Sequence, residues 1–506
     1  MYFNYREYLN KVRGAWLGKN AGGVLGAPFE SIHFHEIING IEFYTQKDLK
    51  ENPVPNDDLD LQLVWLCAAE RNGLYQLTPQ ILGEYWINHI IGPWNEYTVC
   101  RQNIANGFTP PLSGIMNNKR WQNSNGAWIR SEIWALIFPG HPEEAVKFAW
   151  MDSCADHAGE GIYAEVFTCA LEAAAFVEHD IMKLIDTGLN FIPQDCRTAK
   201  LIKIARDHYN SGAAFKDAWQ AVVDANDLGW FQAPNNLAFM VLALLYGEGD
   251  FAKTLCTAVS CGDDTDCTAA TAGAITGLIY GADALPEKWL EPLGDTIATY
   301  SMNKFGLGRG IPPTVSNLTE RTAKLAREAS LLNKNLAEFG DGPTVISDSE
   351  RENLRSTPRH QVCSFSSLRL VTPVGCGEFV AEYDTVPEIA TGETLSFRAG
   401  IQNALFGGST TQVRIKLIPP ETWSVSPSCA DIMVLTPWES ETRFTVTAGT
   451  FSAPVEYIIA EISISGRNMP YTVRIPVQQK DTVRGFADAG FVRDHWRYVD
   501  FMRRGI

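Results

Sequence analysis

Asn56-Asp57-Asp58 and, far downstream, Gly262-Asp263-Asp264-Thr265-Asp266-Cys267 each put carboxylates where a polar stretch gives way to an apolar, helix-like run. After the first come Leu61, Leu63, Val64, Leu66 and Ala68; after the second come Ala269, Ala270, Ala272, Ala274 and Ile275. Both clusters read as carboxylates at helix N-termini, where unpaired backbone N–H groups and the helix dipole favour negative charge. Either one alone is also what an ordinary N-cap on a surface helix looks like. Brought together, four or five carboxylates cannot all stay ionised without a cation. A hard, oxygen-seeking metal such as Mg²⁺ or Mn²⁺ meets that need.

The spacing says how such a site is built. Asp264 and Asp266, two apart at a helix start, can both turn toward a cation lying off the helix end. The small residues Ala269, Ala270, Ala272, Gly273 and Ala274 let that helix approach its neighbours closely, while Asp57 and Asp58 arrive from a second helix. Two cations about 3.5–4 Å apart, the usual spacing of two-metal hydrolytic sites, would then acidify a water between them. Hydroxyl groups of a bound ligand could displace other waters.

Composition limits the partners. At 506 residues the chain exceeds the usual single-domain range, so two domains are expected. Hydrophobic residues make up 45% and charged residues 20%, the balance of a soluble globular protein. The net charge of −17 argues against a nucleic-acid partner held through its phosphates. No apolar run is long enough to span a membrane, and Met1 to Glu7 lacks the pattern of a signal peptide. The 11 cysteines are scattered without zinc-like spacing, which fits reduced thiols in a cytoplasm.

Along the chain, residues 1–339 are rich in helical pattern, with Tyr163–Val177, Asn236–Tyr246 and Thr314–Leu332 reading as helices. Residues 340–361 change to Gly, Pro, Ser and charged residues and read as a linker. Residues 362–480 hold short alternating runs such as Leu395–Ala399, Gln412–Leu417, Arg443–Thr447 and Tyr457–Ile462, the pattern of an all-β sandwich. The tail, 481–506, carries Trp496, Tyr498 and Phe501 and is expected to pack back onto the protein.

Four motifs in order across roughly residues 8 to 300 resemble the ADP-ribosylglycohydrolase family. They are Gly14-Ala-Trp-Leu-Gly18 with Gly22 through Glu30; Asn56-Asp57-Asp58; Asp156-His157 followed by Gly161-Ile162-Tyr163; and Asp264-Thr265-Asp266-Cys267 with its small-residue helix. The resemblance implies an all-α fold holding two Mg²⁺ or Mn²⁺ ions, with Asn56, Asp57, Asp58, Asp264, Asp266 and Cys267 at the ligand positions. It implies cleavage of the C1″ glycosidic bond of ADP-ribose conjugates by a water that the metals activate and that Asp57, Asp58 or a neighbouring carboxylate orients. Glu30 would be a mobile carboxylate near the scissile sugar, and His157 would position substrate. The stretch Asn125 to Arg130 resembles a pocket-lining segment, in which Arg130 is either a substrate contact or a structural ion-pair partner. Asn235 and Asn236 are further candidates for the pocket wall.

Two positions depart from the family pattern, which has threonine at both. Asn56 offers a hard carbonyl oxygen instead, but Cys267 is soft and suits Mg²⁺ poorly. Either Cys267 is a protonated packing residue, or Thr268 or Asp263 compensates. These departures and the appended sandwich leave two other readings. One is a hydrolase of another furanoside or nucleoside-like glycoside, small molecule or protein-linked. The other is a non-catalytic binder of ADP-ribose or sugar. The oligomeric state is not legible in the chain.

Overall fold

The computed structural model describes residues 1–482 except 32, 355–358, 360–364, 376, 404–409 and 435–439. The aromatic tail expected to pack back lies, beyond residue 482, outside the described residues. An N-terminal helical domain is followed by C-terminal β-sheets. Helices at Glu160–Ala174, Ala233–Tyr246 and Val315–Leu332 occupy the stretches where the periodicity places them. Among the described residues no helix is long and apolar enough to cross a membrane.

The helical domain is organised around two helices, Tyr5–Gly26 and Thr265–Tyr280. The first is capped by Asn4, whose side chain accepts from the N–H groups of Arg6 and Glu7. The two run antiparallel in backbone contact. A Cβ at Gly14, Gly18 or Gly22 would strike the carbonyl of Gly277, Gly273 or Ala269 respectively. Only glycine permits so close an approach. The pairing sets the end of the first helix against the start of the second, where Thr265 Oγ1 donates to Gly26 O at 2.9 Å. The segment after Gly26, which carries Glu30, therefore emerges beside Asp264 and Asp266.

The sheets form two five-stranded layers. One runs, in spatial order, Arg369–Pro373, Glu378–Tyr383, Thr394–Gln402, Ser440–Thr447, Ser424–Ser426. The other runs Glu388–Ile389, Tyr471–Gln479, Val455–Ile464, Thr411–Ile418, Cys429–Val434. Alternating inward side chains, Phe379, Phe397 and Phe444 from one layer and Ile415, Ile458 and Ile475 from the other, make a single core. Phe108, Leu112 and Met116 of the helical domain belong to that same core. Across the junction, Asn117 and Gln478 exchange side-chain amide hydrogen bonds at 2.9 and 2.8 Å.

The stretch after residue 337 returns to the N-terminus. Strand Glu338–Gly340 pairs in parallel with Tyr2–Asn4, Tyr2 and Val345 exchange backbone hydrogen bonds, and the terminal ammonium meets Glu350 at 2.5 Å.

Candidate metal centre

Helix Asp57–Asn72 starts at Asn56, whose Oδ1 caps it by accepting from Asp58 N at 2.7 Å. That cap turns Asn56 Nδ2 toward Asp266 Oδ2, 3.3 Å away across the gap between the two acidic helix starts. At the second start Asp264 is the N-cap residue, yet its side chain makes no cap hydrogen bond. Its Oδ2 instead accepts from Asn125 Nδ2 at 2.6 Å, and its backbone N donates to Asn236 Oδ1 at 3.2 Å. The four aspartates thus come together at one place, with Asp58, Asp264 and Asp266 buried.

Two sets of ligand atoms lie within 4.8 Å of one another: Asp58, Asp266 and Cys267, and Glu30, Asp264 and Asp266. Asp58 Oδ2, Asp264 Oδ1 and Asp266 Oδ1 are buried without a hydrogen-bond partner among the described residues. Burial pushes Asp58 and Asp264 well above the usual carboxylate range, and the neighbouring Asp266 adds to it. Lys19, 3.7 Å from Asp58 Oδ2, offsets only part of this at Asp58. Burial, then Asp266, brings Asp57 up to about 6, although the hydroxyls of Tyr97 and Tyr300 donate to its two oxygens at 3.1 and 3.3 Å. Bare oxygens crowded against like charge are what a hard divalent cation relieves, so this donor set fits such a metal.

Cys267 Sγ donates to Asp58 Oδ1 at 3.4 Å, and burial raises its thiol far above the ordinary value. The two residues offered as alternatives to a packing Cys267 are engaged elsewhere. Thr268 Oγ1 donates back to the carbonyls of Asp264 and Thr265. The Asp263 carboxylate faces away, accepting from Phe231 N, Asn235 Nδ2 and Asn236 Nδ2.

The cluster floors a cavity of about 480 Å³, within the range of small-ligand sites. Glu30, Asn56, Asp57, Asn125, Asp264 and Asp266 all line it. Three residues expected to touch substrate are not among its lining residues. Arg130 is fully enclosed, its guanidinium spent on Asp152 at 2.9 Å, on Asp156 at 2.7 and 3.0 Å, and on Gly126 O. It is the ion-pair partner that the sequence left open. His157 is fully buried with Nδ1 2.9 Å from Asp156 Oδ1 and Nε2 3.2 Å from Ser124 Oγ. Asn236 is buried beneath the site, holding the Asp264 backbone and the Asp263 carboxylate.

Other residues at the site carry no signal in the motifs. Asp60 Oδ2 accepts from Tyr300 N, Ser301 N and Ser301 Oγ at 2.7–2.9 Å, so it pins the loop that delivers Tyr300 to Asp57. Its place inside the apolar run Leu59–Leu61 is the one sequence hint of burial. Glu96 also lines the cavity, its carboxyl raised above all by burial. Trp94 and Tyr97, from the same segment, stand edge to face at 5.8 Å, and Trp94 and Tyr300 at 5.4 Å, so three rings form one wall.

Fold and site together define a helical domain whose two acidic helix starts meet at the floor of a deep cavity. The family model of the ADP-ribosylglycohydrolases matches residues 4–327, and this chain belongs to that family. A solved structure described as an ADP-ribosylglycohydrolase-related protein complex is similar at 19% identity and a TM-score of 0.43, covering 63% of this chain and 97% of its own. No curated protein matches the chain.

Proposed function

We propose that this protein is a divalent-cation-dependent glycosyl hydrolase cleaving the C1 bond of a furanosyl conjugate. ADP-ribosyl conjugates are the class that family membership points to, and other furanosides are the second. What carries the reading is the cluster of buried carboxylate oxygens at Asp58, Asp264 and Asp266 that have no donor among the described residues. A non-catalytic binder has no physical need to keep these groups in mutual repulsion.

Asp58, Asp264 and Asp266, with Glu30 and Asp57 beside them, would hold Mg²⁺ or Mn²⁺, with room for two ions. Bound there, such cations supply Lewis acidity and lower the pKa of water. The chain does the rest. Asn125 and Asn236 fix Asp264 through its side chain and its backbone. Tyr97 and Tyr300 hold the two oxygens of Asp57. Asp57 lines the cavity, where its carboxylate can accept a proton from an attacking water. Glu30 faces the same floor from the opposite helix end.

The test is turnover of ADP-ribosylated arginine and serine peptides beside neutral aryl furanosides, with Mg²⁺ or Mn²⁺ and after chelation. At least one class should be cleaved, chelation should abolish it, and Asp264→Asn or Asp266→Asn should lower it by roughly a hundredfold or more. Turnover indifferent to chelation, or none on any of these, sinks the proposal.

A further inference from the structure

We infer that the β-sandwich serves the cavity: through segment 106–118 it positions the cavity wall, and Asn118 is the positioning residue that carries this hold toward the site. The inference rests on the hydrolase reading for the use to which the wall is put, not for the coupling itself.

Segment 106–118 joins two stretches that both reach the cavity. Upstream, helix Asn95–Ala105 opens with Glu96 and Tyr97 in the lining. Downstream, Asn125 and Gly126 line it as well. Between them the segment has two faces. Phe108, Leu112 and Met116 are buried in the sandwich core. The opposite face is polar and turned to the helical domain. There Ser113 Oγ donates to Ala155 O, and Asn118 Nδ2 donates to Asp156 O at 2.7 Å and to Gly114 O at 2.8 Å. A Cβ at Gly114 would strike the carbonyl of His157, so the two backbones touch. Asn103, in the last turn of the helix, donates through Nδ2 to Ser113 O and Met116 O.

From Asp156 and His157 the hold passes to the wall. Ala158 N donates to Gln122 O at 3.1 Å, and His157 Nε2 stands 3.2 Å from Ser124 Oγ. Arg130, fixed by Asp156, donates to Gly126 O. Ser113, Asn118, Asp156, His157 and Arg130 are all buried. A close-packed interior transmits a displacement along such a chain instead of absorbing it. The acidic floor has a different foundation, the glycine contacts between helices Tyr5–Gly26 and Thr265–Tyr280. Loosening the sandwich should therefore move the wall and spare the floor. An accessory domain with a closed core of its own would move neither, but this one completes its core with residues of the helical domain.

The experiment uses the full chain and reads amide hydrogen exchange by mass spectrometry beside Mn²⁺ affinity by calorimetry. Met116→Ala opens the sandwich face of the segment, and Asn118→Ala cuts its tie to Asp156. In both, exchange should quicken about threefold or more in peptides covering 94–105 and 121–130, with helix Thr265–Tyr280 unchanged and Mn²⁺ affinity within about twofold of wild type. Met116→Leu, which keeps the core filled, should exchange like wild type. Should Met116→Ala fail to fold, Gln478→Ala, which frees Asn117 from the sandwich, takes its place. Wall peptides that exchange as in wild type overturn the inference. So does exchange that quickens equally in helix Thr265–Tyr280, which is a general loss of stability. On whichever substrate of the hydrolase test is cleaved, Asn118→Ala should lower kcat/KM about fivefold or more at unchanged Mn²⁺ affinity. An unaltered kcat/KM also overturns the inference. Absence of all turnover by the wild type fells the hydrolase reading, and the exchange result still decides the coupling.

Discussion

The Cys267 thiol reaches Asp58 Oδ1 at 3.4 Å as a hydrogen-bond donor, and burial keeps it protonated. A thiol in that state fills space at a position where a hydroxyl would bring a hard oxygen to the cation. Cys267→Thr should therefore tighten Mn²⁺ binding severalfold in calorimetric titration, and the wild type should not favour Zn²⁺ or Co²⁺ over Mn²⁺ as a thiolate ligand would. Weaker Mn²⁺ binding by the threonine variant would mean the sulfur ligates after all. Two acids set beside the cluster respond to pH. Asp60 and Asp263 are each pushed up to about 7, above all by burial. Unfolded, they ionise near the ordinary value, so the folded state holds their protons more tightly. Their stabilising contribution is fully present below about pH 4 and is lost as pH rises through about 7. Each amounts to roughly 4 kcal/mol at the limit. The melting temperature of the metal-free protein should thus fall between about pH 4.5 and 7.5, and Asp60→Asn should flatten that slope. A calorimetric scan in chelator with no such fall would contradict the burial of these groups. The acids were legible in the sequence because each cluster abuts an apolar run. Their partners were not. Tyr97 and Tyr300 reach Asp57 from chain-distant segments, and no local periodicity encodes such a contact; Asn125 was visible as part of a pocket-lining segment but not as the donor to Asp264. For the same reason Asp263 and Thr268, adjacent to the ligands in sequence, turned out to face elsewhere.

Two helices do most to place these side chains. Glycines at 14, 18 and 22 meet Gly277, Gly273 and Ala269 backbone to backbone, which locks the register of Tyr5–Gly26 against Thr265–Tyr280. The small-residue stripe was visible in the sequence as permission for close packing; which helix it would meet was not. A methyl group at Gly22 has no room, since the carbonyl of Ala269 occupies its place. Gly22→Ala must therefore spread the helices, at a cost of about 3 kcal/mol or more. It would also shift the segment carrying Glu30, which follows the helix end at Gly26, relative to Asp264 and Asp266. Chemical denaturation should report the loss of stability, and Mn²⁺ affinity should fall along with it. A variant as stable as wild type would show that the helices are not in contact at that level. Asp264 illustrates the complementary lesson: its position predicts an N-cap, yet its side chain caps nothing and points at the cavity. Local propensity located the helix start, and tertiary demand redirected the side chain.

At the scale of the whole molecule, the helical and β parts share apolar surface. The alternating strands and the change of texture after residue 339 announced two architectures, but not that Phe108, Leu112 and Met116 would complete the sandwich core. Nor did composition show that the stretch 340–353 would be tied to the N-terminus through the strand Tyr2–Asn4, Val345 and Glu350. A fragment ending at residue 354 keeps those ties and every carboxylate of the site, so its far-UV circular dichroism should stay helical and Mn²⁺ should still bind. It also strips cover from Phe108, Leu112 and Met116, each buried in the full chain, and leaves Asn117 without its Gln478 partner. An apolar patch so exposed favours self-association. The fragment should therefore sediment as oligomers or aggregates, and replacing Phe108 and Met116 by serine should return it to a monomer. In the full chain the same pair of substitutions hollows a packed core, where loss of a phenylalanine side chain alone costs about 3–5 kcal/mol. It should loosen the sandwich while the metal site, built from other elements, keeps its affinity. A fragment that is monomeric and stable without the serines would mean that the helical domain does not depend on the sandwich to cover this surface.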